Sequence, residues 1–421
     1  MDRAILIHVS LSAREKAEAD SSLDELAGLT RAVGAAVVHR LRQNRIRPSP
    51  RTFIGEGKVR ELALLAEELR ADLIVFDRNL TPVQQRSLED SLPARVVDRT
   101  QLILDIFARR AASREGKLQV ELARLMYRLP RLTGKGKTFS QPGAGIRTRG
   151  PGEQKLEEDR RRIQSRITGI KRQIRSLGLR RAGQRSSRRK SPMPVVSLVG
   201  YTSAGKSTLF NALSRERAFT SPMLFATLDP VLRRVSFPDG LYFLLSDTVG
   251  FLRNLPVELV TAFRATLEEI RESDCICHVI DLASPRSGEQ AEAVENVLAD
   301  IGAGDIPLVR VFNKIDLLPG REGLLSPGER PGAAGRAYVS AKTGEGIPDL
   351  KRLLRGILFQ DRRLFRFRLP GDRRALLPEI AERGVILKTA ESPDHVDLTL
   401  MARPESVRDL LPEFAEGEPL C

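Results

Sequence analysis

The spacing of apolar residues changes period several times along this chain. In the first quarter, short apolar runs alternate with segments whose apolar residues return every three or four positions. The runs Ala4–Val9, Ala35–Val38, Asp72–Phe76 and Ala94–Val97 predict strands. Ser22–Val33, Val59–Leu69, Pro82–Ser91 and Thr100–Arg109 predict helices. Regular strand–helix alternation predicts an open α/β domain with a parallel sheet over residues 1–112. The pattern then turns wholly helical. Leu118, Leu122, Leu125, Met126 and Leu129 mark one helix. Leu156, Ile163, Ile167, Ile170, Ile174 and Leu177 form the seam of a longer one, suited to packing on another helix. Between them, Gly134–Gly152 contains six glycines and two prolines and leaves little to bury. Residues 113–190 therefore predict a helical hairpin with a glycine-rich tip.

Alternation resumes over residues 191–360. Apolar strands are expected at Val195–Val199, Leu241–Leu245, Cys275–Ile280 and Leu308–Phe312. Residues 361–421 predict a small C-terminal α+β domain. It has a strand at Phe365–Leu369, a helix around Arg374–Glu382, strands at Val385–Thr389 and His395–Met401, and a terminal helix. The fold class is α/β throughout the two larger domains. A chain of 421 residues has room for roughly two to four domains.

Charge changes the picture more than composition does. The net charge is +15, and it is unevenly placed. Arg160 to Lys190 holds thirteen Lys and Arg and no Asp or Glu. A solvated helix face normally mixes signs, whereas this one repels itself until phosphates neutralise it. Lys135, Lys137, Arg147 and Arg149 stud the glycine-rich tip. Folded RNA, recognised by shape and phosphate, is the first partner expected. Weak association with an anionic membrane surface is the second. Three cysteines and four scattered histidines show neither a disulfide framework nor ligand spacing. No apolar stretch is long enough to span a bilayer, and Ala4–Val9 lacks a cationic leader, so a cytoplasmic protein is expected. A monomer is the expected state.

The chemistry is concentrated after Val195–Val199. Gly200, Tyr201, Thr202, Ser203, Ala204, Gly205, Lys206 and Ser207 place four residues between a glycine and Gly-Lys-Ser, and Thr208 carries the chain into a helix. This is the P-loop pattern: backbone N–H groups curl around a polyphosphate at a helix N-terminus, Lys206 reaches the β- and γ-phosphates, and the Ser207 hydroxyl ligates Mg²⁺. Asn313, Lys314 and Asp316 follow the strand Leu308–Phe312. A carboxylate there accepts from both N1–H and the 2-amino group of guanine, and adenine lacks that pair. Ser340, Ala341 and Lys342 supply a backbone N–H for the guanine O6. Asp247, Thr248, Val249 and Gly250 end another strand. Asp247 is expected to hold Mg²⁺ and the Gly250 N–H to meet the γ-phosphate. Within Phe225, Ala226, Thr227, Leu228 and Asp229, Thr227 is the candidate switch residue, binding Mg²⁺ and the γ-phosphate. Lys206, Thr227 and Gly250 are thus the catalytic candidates; Ser207, Thr227 and Asp247 are the metal candidates. The ligands expected are GTP or GDP with Mg²⁺. Phe251 stands where many GTPases orient water with Gln, which predicts slow intrinsic hydrolysis.

Beyond these general motifs, the chain resembles the HflX family of ribosome-associated GTPases over nearly its whole length. The resemblance rests on Phe53-Ile54-Gly55-Glu56-Gly57-Lys58, Val97-Asp98-Arg99-Thr100, Ile103-Leu104-Asp105-Ile106-Phe107, Gln119-Val120-Glu121-Leu122, Leu129-Pro130-Arg131-Leu132, Arg149-Gly150-Pro151-Gly152-Glu153, Phe225-Ala226-Thr227-Leu228-Asp229-Pro230 and Asp247-Thr248-Val249-Gly250-Phe251. It implies a P-loop GTPase (G) domain with an N-terminal α/β domain, a helical hairpin and a small C-terminal domain. It further implies binding to the large ribosomal subunit and its ribosomal RNA, and dissociation of stalled or idle ribosomes under stress. Two positions depart from the family pattern. Ser203 replaces an Asn that in related GTPases helps hold K⁺, and Ala144-Gly145-Ile146-Arg147 is less glycine-rich. A GTP-regulated RNA-binding or membrane-surface module, and an ATP-driven RNA remodeller, remain the alternative readings of the same residues.

Overall fold

A computed structural model describes residues 1–132, 151–189, 193–214, 231–248, 250–251, 270–318 and 335–410. The described residues form two compact units, Met1–Arg175 and those from Ser176 onward.

The first unit is built on four parallel strands, β1 (Arg3–Ser10), β2 (Ala36–Asn44), β3 (Leu73–Phe76) and β4 (Arg95–Asp98), in the order β2-β1-β3-β4. A parallel sheet needs cover on both faces. Helices α1 (Ala13–Ala17) and α2 (Ala19–Ala32) follow β1, and α5 (Arg99–Arg110) follows β4. Leu23, Leu26 and Leu29 of α2 and Ile103, Ile106 and Phe107 of α5 are buried. On the other face, α3 (Glu56–Glu68) and α4 (Pro82–Glu89) bury Val59, Leu62 and Leu88 in one cluster with Ile5, Ile7, Ile74 and Phe76. β2 runs six residues past its expected end at Val38, to Asn44. Its outer half alternates Arg40, Arg42 and Asn44 with more buried positions, as a polar sheet edge should.

Helix α6 (Arg114–Arg128) is capped by the Ser113 hydroxyl, which accepts from Gly116 N–H at 2.9 Å. The long helix α7 (Pro151–Arg189) meets it through Arg166, which donates twice to Glu121, at 2.7 and 2.9 Å. The seam read from sequence is half-buried, with Ile170 fully buried. The expected basic tip of this hairpin, residues 133–150, lies outside the described residues.

The second unit holds a six-stranded sheet in the order β10-β9-β8-β5-β7-β6. Its members are β5 (Val195–Gly200), β6 (Val231–Ser236), β7 (Tyr242–Asp247), β8 (Cys275–Asp281), β9 (Leu308–Asn313) and β10 (Arg336–Tyr338). All neighbours pair in parallel except β6 on β7. β6 has no clear apolar period, because five of its six residues are exposed. Helices α8 (Lys206–Ser214), α9 (Ser287–Asp300) and α10 (Ile347–Phe359) flank the sheet. Cys275 and Cys277 are both buried in its core.

The C-terminal sheet is antiparallel, with β13 (His395–Ala402) between β11 (Arg363–Pro370) and β12 (Gly384–Glu391). One face packs Phe365, Phe367 and Leu400 against Ile380 of α11 (Leu377–Arg383). Val385 and Met401 join the core of the six-stranded sheet instead. The helix expected around Arg374–Glu382 begins as a 3-10 turn, Gly371–Leu376, before α11. Where a terminal helix was expected, Pro404–Val407 forms a 3-10 turn, and residues 411–421 lie outside the described set. Among the described residues, no helix is long and apolar enough to cross a membrane.

Candidate functional site

Parallel α/β sheets gather chemistry at the carboxyl ends of their strands. Here β5 ends at Gly200, β7 at Asp247, β8 at Asp281 and β9 at Asn313. The turn from β5 into α8 is tight. A Cβ on Gly200 would lie 2.3 Å from the Val279 carbonyl oxygen of the adjacent strand. Gly205 has φ +95°, and a Cβ there would lie 2.2 Å from Asn313 Nδ2. Ser203 adopts φ +61°, a left-handed conformation that is unusual for serine. Among the described residues, the buried Thr202 side-chain oxygen has no hydrogen-bond partner.

Lys206 folds back over this turn. Its Nζ donates to the Gly200 and Tyr201 carbonyl oxygens, each at 3.0 Å. Burial lowers its pKa to about 8, and the neighbouring Asp247 carboxylate opposes that shift. The ammonium is therefore held by weak dipoles in a dry site, where a polyphosphate would stabilise it far more strongly.

The side of the site at the end of β9 is wired by Asn313. Its Nδ2 donates to the Ala204 carbonyl at 2.8 Å, and its Oδ1 accepts from Ala341 N–H at 2.9 Å. One buried amide thus joins the P-loop to the loops that follow β9 and β10. Lys314 takes φ +67°, and its Nζ donates to Asp281 Oδ2 at 2.6 Å. The Ser340 hydroxyl donates to Asp316 Oδ1 at 2.7 Å, which orients that carboxylate. Ala341 is buried and Lys342 exposed.

On the phosphate side, the Ser207 hydroxyl donates to Asp247 Oδ2 at 2.9 Å. The Thr248 hydroxyl donates to the Leu198 carbonyl at 2.6 Å. Gly250 leaves no room for a side chain: a Cβ would sit 2.9 Å from Thr202 Cγ2 and 3.0 Å from Lys206 Nζ. Phe251 is clasped to the P-loop, its N–H donating to Gly200 O at 3.1 Å and its carbonyl accepting from Thr202 N–H at 2.7 Å. Phe225, Ala226, Thr227, Leu228, Asp229 and Val249 lie outside the described residues. The structure thus gathers Gly200–Thr208, Asp247, Gly250, Asn313, Asp316 and Ser340 around the P-loop. Sequence reading missed Asp281 and the backbone clasp of Phe251. The signal for Asp281 was its place at the end of a buried strand of a parallel sheet.

Three family models match in succession. They describe a GTP-binding GTPase N-terminal region over residues 20–108, a GTP-binding GTPase middle region over 110–188, and a 50S ribosome-binding GTPase over 195–314. GTPase HflX of Caldanaerobacter subterraneus subsp. tengcongensis is 44% identical over 387 residues, covering 92% of this chain and 88% of the relative. GTPase HflX of Escherichia coli (strain K12) is 43% identical over 353 residues, covering 84% and 82%. The chain belongs to the HflX GTPase family. As an HflX GTPase it binds guanine nucleotide and hydrolyses GTP. A solved structure, a complex of SsGBP and GDP, superposes with a TM-score of 0.50 at 23% identity, covering 86% of this chain and 99% of that one, so the two share a fold.

Magnesium suits the donor set. Ser207 and Asp247 bring a hydroxyl and a carboxylate oxygen within 2.9 Å at the rim of the phosphate cradle. Mg²⁺ is held by hard oxygens, characteristically one or two from protein with phosphates and water completing the shell. Among the described residues no cluster of three or more His, Cys, Asp or Glu side chains offers an all-protein cage.

Proposed function

We propose that this HflX GTPase acts on ribosomes in the cytoplasm as a monomer, binding the large subunit through its RNA and promoting dissociation of stalled or idle particles. The observation that carries the reading is the exposed charge of α7. Arg160, Lys171, Arg172 and Arg175 are exposed, and no carboxylate pairs with them among the described residues. The apolar seam of the same helix is turned inward, so the cations are left for a polyanion. The match to a model of 50S ribosome-binding GTPases supports the same partner. A weak attraction to anionic membranes would follow from the same charge.

Within the site, Asp316 takes guanine N1–H and the 2-amino group, and the Ala341 and Lys342 backbone flanks O6. Lys206 neutralises charge on the β- and γ-phosphates, with Gly200–Ser207 N–H groups around them. Ser207, Asp247 and Thr227 would hold Mg²⁺, which supplies electrostatic stabilisation of the transferring phosphoryl group. Thr227 and Gly250 sense the γ-phosphate. Phe251 offers no side-chain hydrogen bond to a water, so hydrolysis is slow alone and the ribosome accelerates it by ordering the switches. Docking of the N-terminal unit then parts the subunits sterically, and hydrolysis resets the affinity.

Sucrose-gradient profiles of intact ribosomes test this. GTP-dependent release of free subunits is expected. Co-migration without release would favour an RNA-binding module, and ribosomes that leave the GTPase rate at its baseline would remove the mechanism.

A further inference from the structure

The motif Phe53-Ile54-Gly55-Glu56-Gly57-Lys58 has no part in the nucleotide site, and the structure shows what its first residues do. They anchor a loop, Arg45–Thr52, at the carboxyl end of the edge strand β2. Phe53 sits at φ +64°, a region bulky residues avoid. Its buried ring packs edge-on against Phe76, with centroids 6.4 Å apart, and Ile54 beside it is fully buried. Ser49 and Phe53 exchange two backbone hydrogen bonds of 3.0 Å. The Thr52 hydroxyl donates to the Ile54 carbonyl at 2.7 Å, and Gln84 of α4 donates to the Ser49 carbonyl at 2.9 Å. Arg45 N–H donates to the Ser10 carbonyl at 2.9 Å, and its Nε to the Arg47 carbonyl at 3.1 Å. The loop is thus held in one shape from both ends, despite the conformational cost at Phe53.

That shape presents an unusual surface. Ile46 is 93% exposed. Arg47, Pro48, Pro50 and Arg51 are exposed around it. From Ala36 to Gly55 the chain carries five arginines and no Asp or Glu. Arg40 and Arg42 are neutralised by Asp24 and Asp20 of α2. Arg45, Arg47 and Arg51 have no carboxylate partner among the described residues. A rigid tip of apolar faces between unpaired guanidinium groups fits folded RNA: the guanidiniums bridge phosphates, and Ile46 and the prolines pack on unstacked bases or ribose.

We propose that Arg45–Arg51 is a second RNA contact of this chain, separate from α6 and α7, in which Arg47 and Arg51 bind phosphates and Ile46 packs between them. The proposal rests on the ribosome reading above. Its test measures binding of the full-length chain to purified large ribosomal subunits and to deproteinised large-subunit ribosomal RNA across a salt series. The variants are R47A/R51A, R47K/R51K and I46A. Removing two phosphate contacts should weaken binding at least about tenfold near 0.1 M salt and lower the log–log salt slope by about 1.5 to 2. The lysine pair should keep the slope, and I46A should weaken binding without changing it. All three positions are exposed, so unfolding temperatures and GTP affinity should match wild type. If R47A/R51A keeps wild-type affinity and slope on both targets, the proposal is wrong. If it weakens binding to subunits but not to naked RNA, the partner is a protein and the RNA assignment is overturned. If wild type binds neither target, the ribosome reading itself fails and takes this one with it.

Discussion

Asp98 and Arg131 meet across 33 positions of chain, Arg131 Nη2 lying 3.2 Å from Asp98 Oδ2. The carboxylate is fully buried and also accepts from Leu80 N–H at 3.1 Å and Gln101 N–H at 2.9 Å, so it caps α5 as well. Arg131 in turn donates to the Leu80 and Tyr127 carbonyls and to Gln85, and lies over the Tyr127 ring at 3.4 Å. One guanidinium thus ties the end of α6 to the carboxyl end of the N-terminal sheet. Removing one partner of a buried pair leaves the other uncompensated. Arg131→Ala should cost the first unit about 2 kcal/mol, below the full buried-pair range because Arg131 keeps some solvent access. Thermal unfolding of the variant, with GTP binding as the control, measures this.

Asn313→Ala should disturb three loops at once. Ala204 O and Ala341 N–H would both lose their buried partner. Each unsatisfied group costs about 1 to 3 kcal/mol. GTP affinity measured by calorimetry should fall about a hundredfold or more. A loss under threefold would show that the amide is not the tie between these loops.

Asp316→Asn exchanges an acceptor pair for an amide. Guanine then faces a donor opposite its own amino group, while xanthine offers a carbonyl there. The variant should lose GTP affinity by about 10² or more and gain xanthosine triphosphate, without gaining ATP. Competition against labelled GTP gives the ratio. ATP binding equal to GTP in the unmodified chain would overturn the carboxylate's role.

Lys206 makes nucleotide binding depend on pH. Its pKa in the free protein is lowered to about 8 by burial. A bound polyphosphate raises it, so binding takes up a proton only above that pH. Affinity should stay level up to about pH 8 and then fall, with a limiting slope of about tenfold per unit. The window closes where guanine loses its N1 proton. Proton uptake measured in two buffers of different ionisation enthalpy should vanish in Lys206→Ala.

Ser207→Ala removes the hydroxyl that meets Asp247 at 2.9 Å. Hydrolysis should then need far more Mg²⁺ while GDP binding without metal changes little. A metal titration of the GTPase rate reads this directly, and an unchanged midpoint would remove Ser207 from the metal site.

Local patterning was enough to mark the P-loop, the guanine motif and most strands. These features depend on short-range spacing: a glycine turn before a helix, or an apolar run before a polar one. It was enough, too, to locate the basic stretch, because charge density needs no fold to be counted. The tertiary structure decided which distant groups meet. Asp98 with Arg131, Asn313 with Ala204 and Ala341, Lys314 with Asp281, and the Phe251 backbone with the P-loop are joined only when strands are set side by side. The edge position of β6 hid it from periodicity, since an exposed strand has no buried face to write into its sequence. The left-handed Phe53 was equally invisible, because that conformation is imposed by packing at both ends of its loop and not by any preference of phenylalanine.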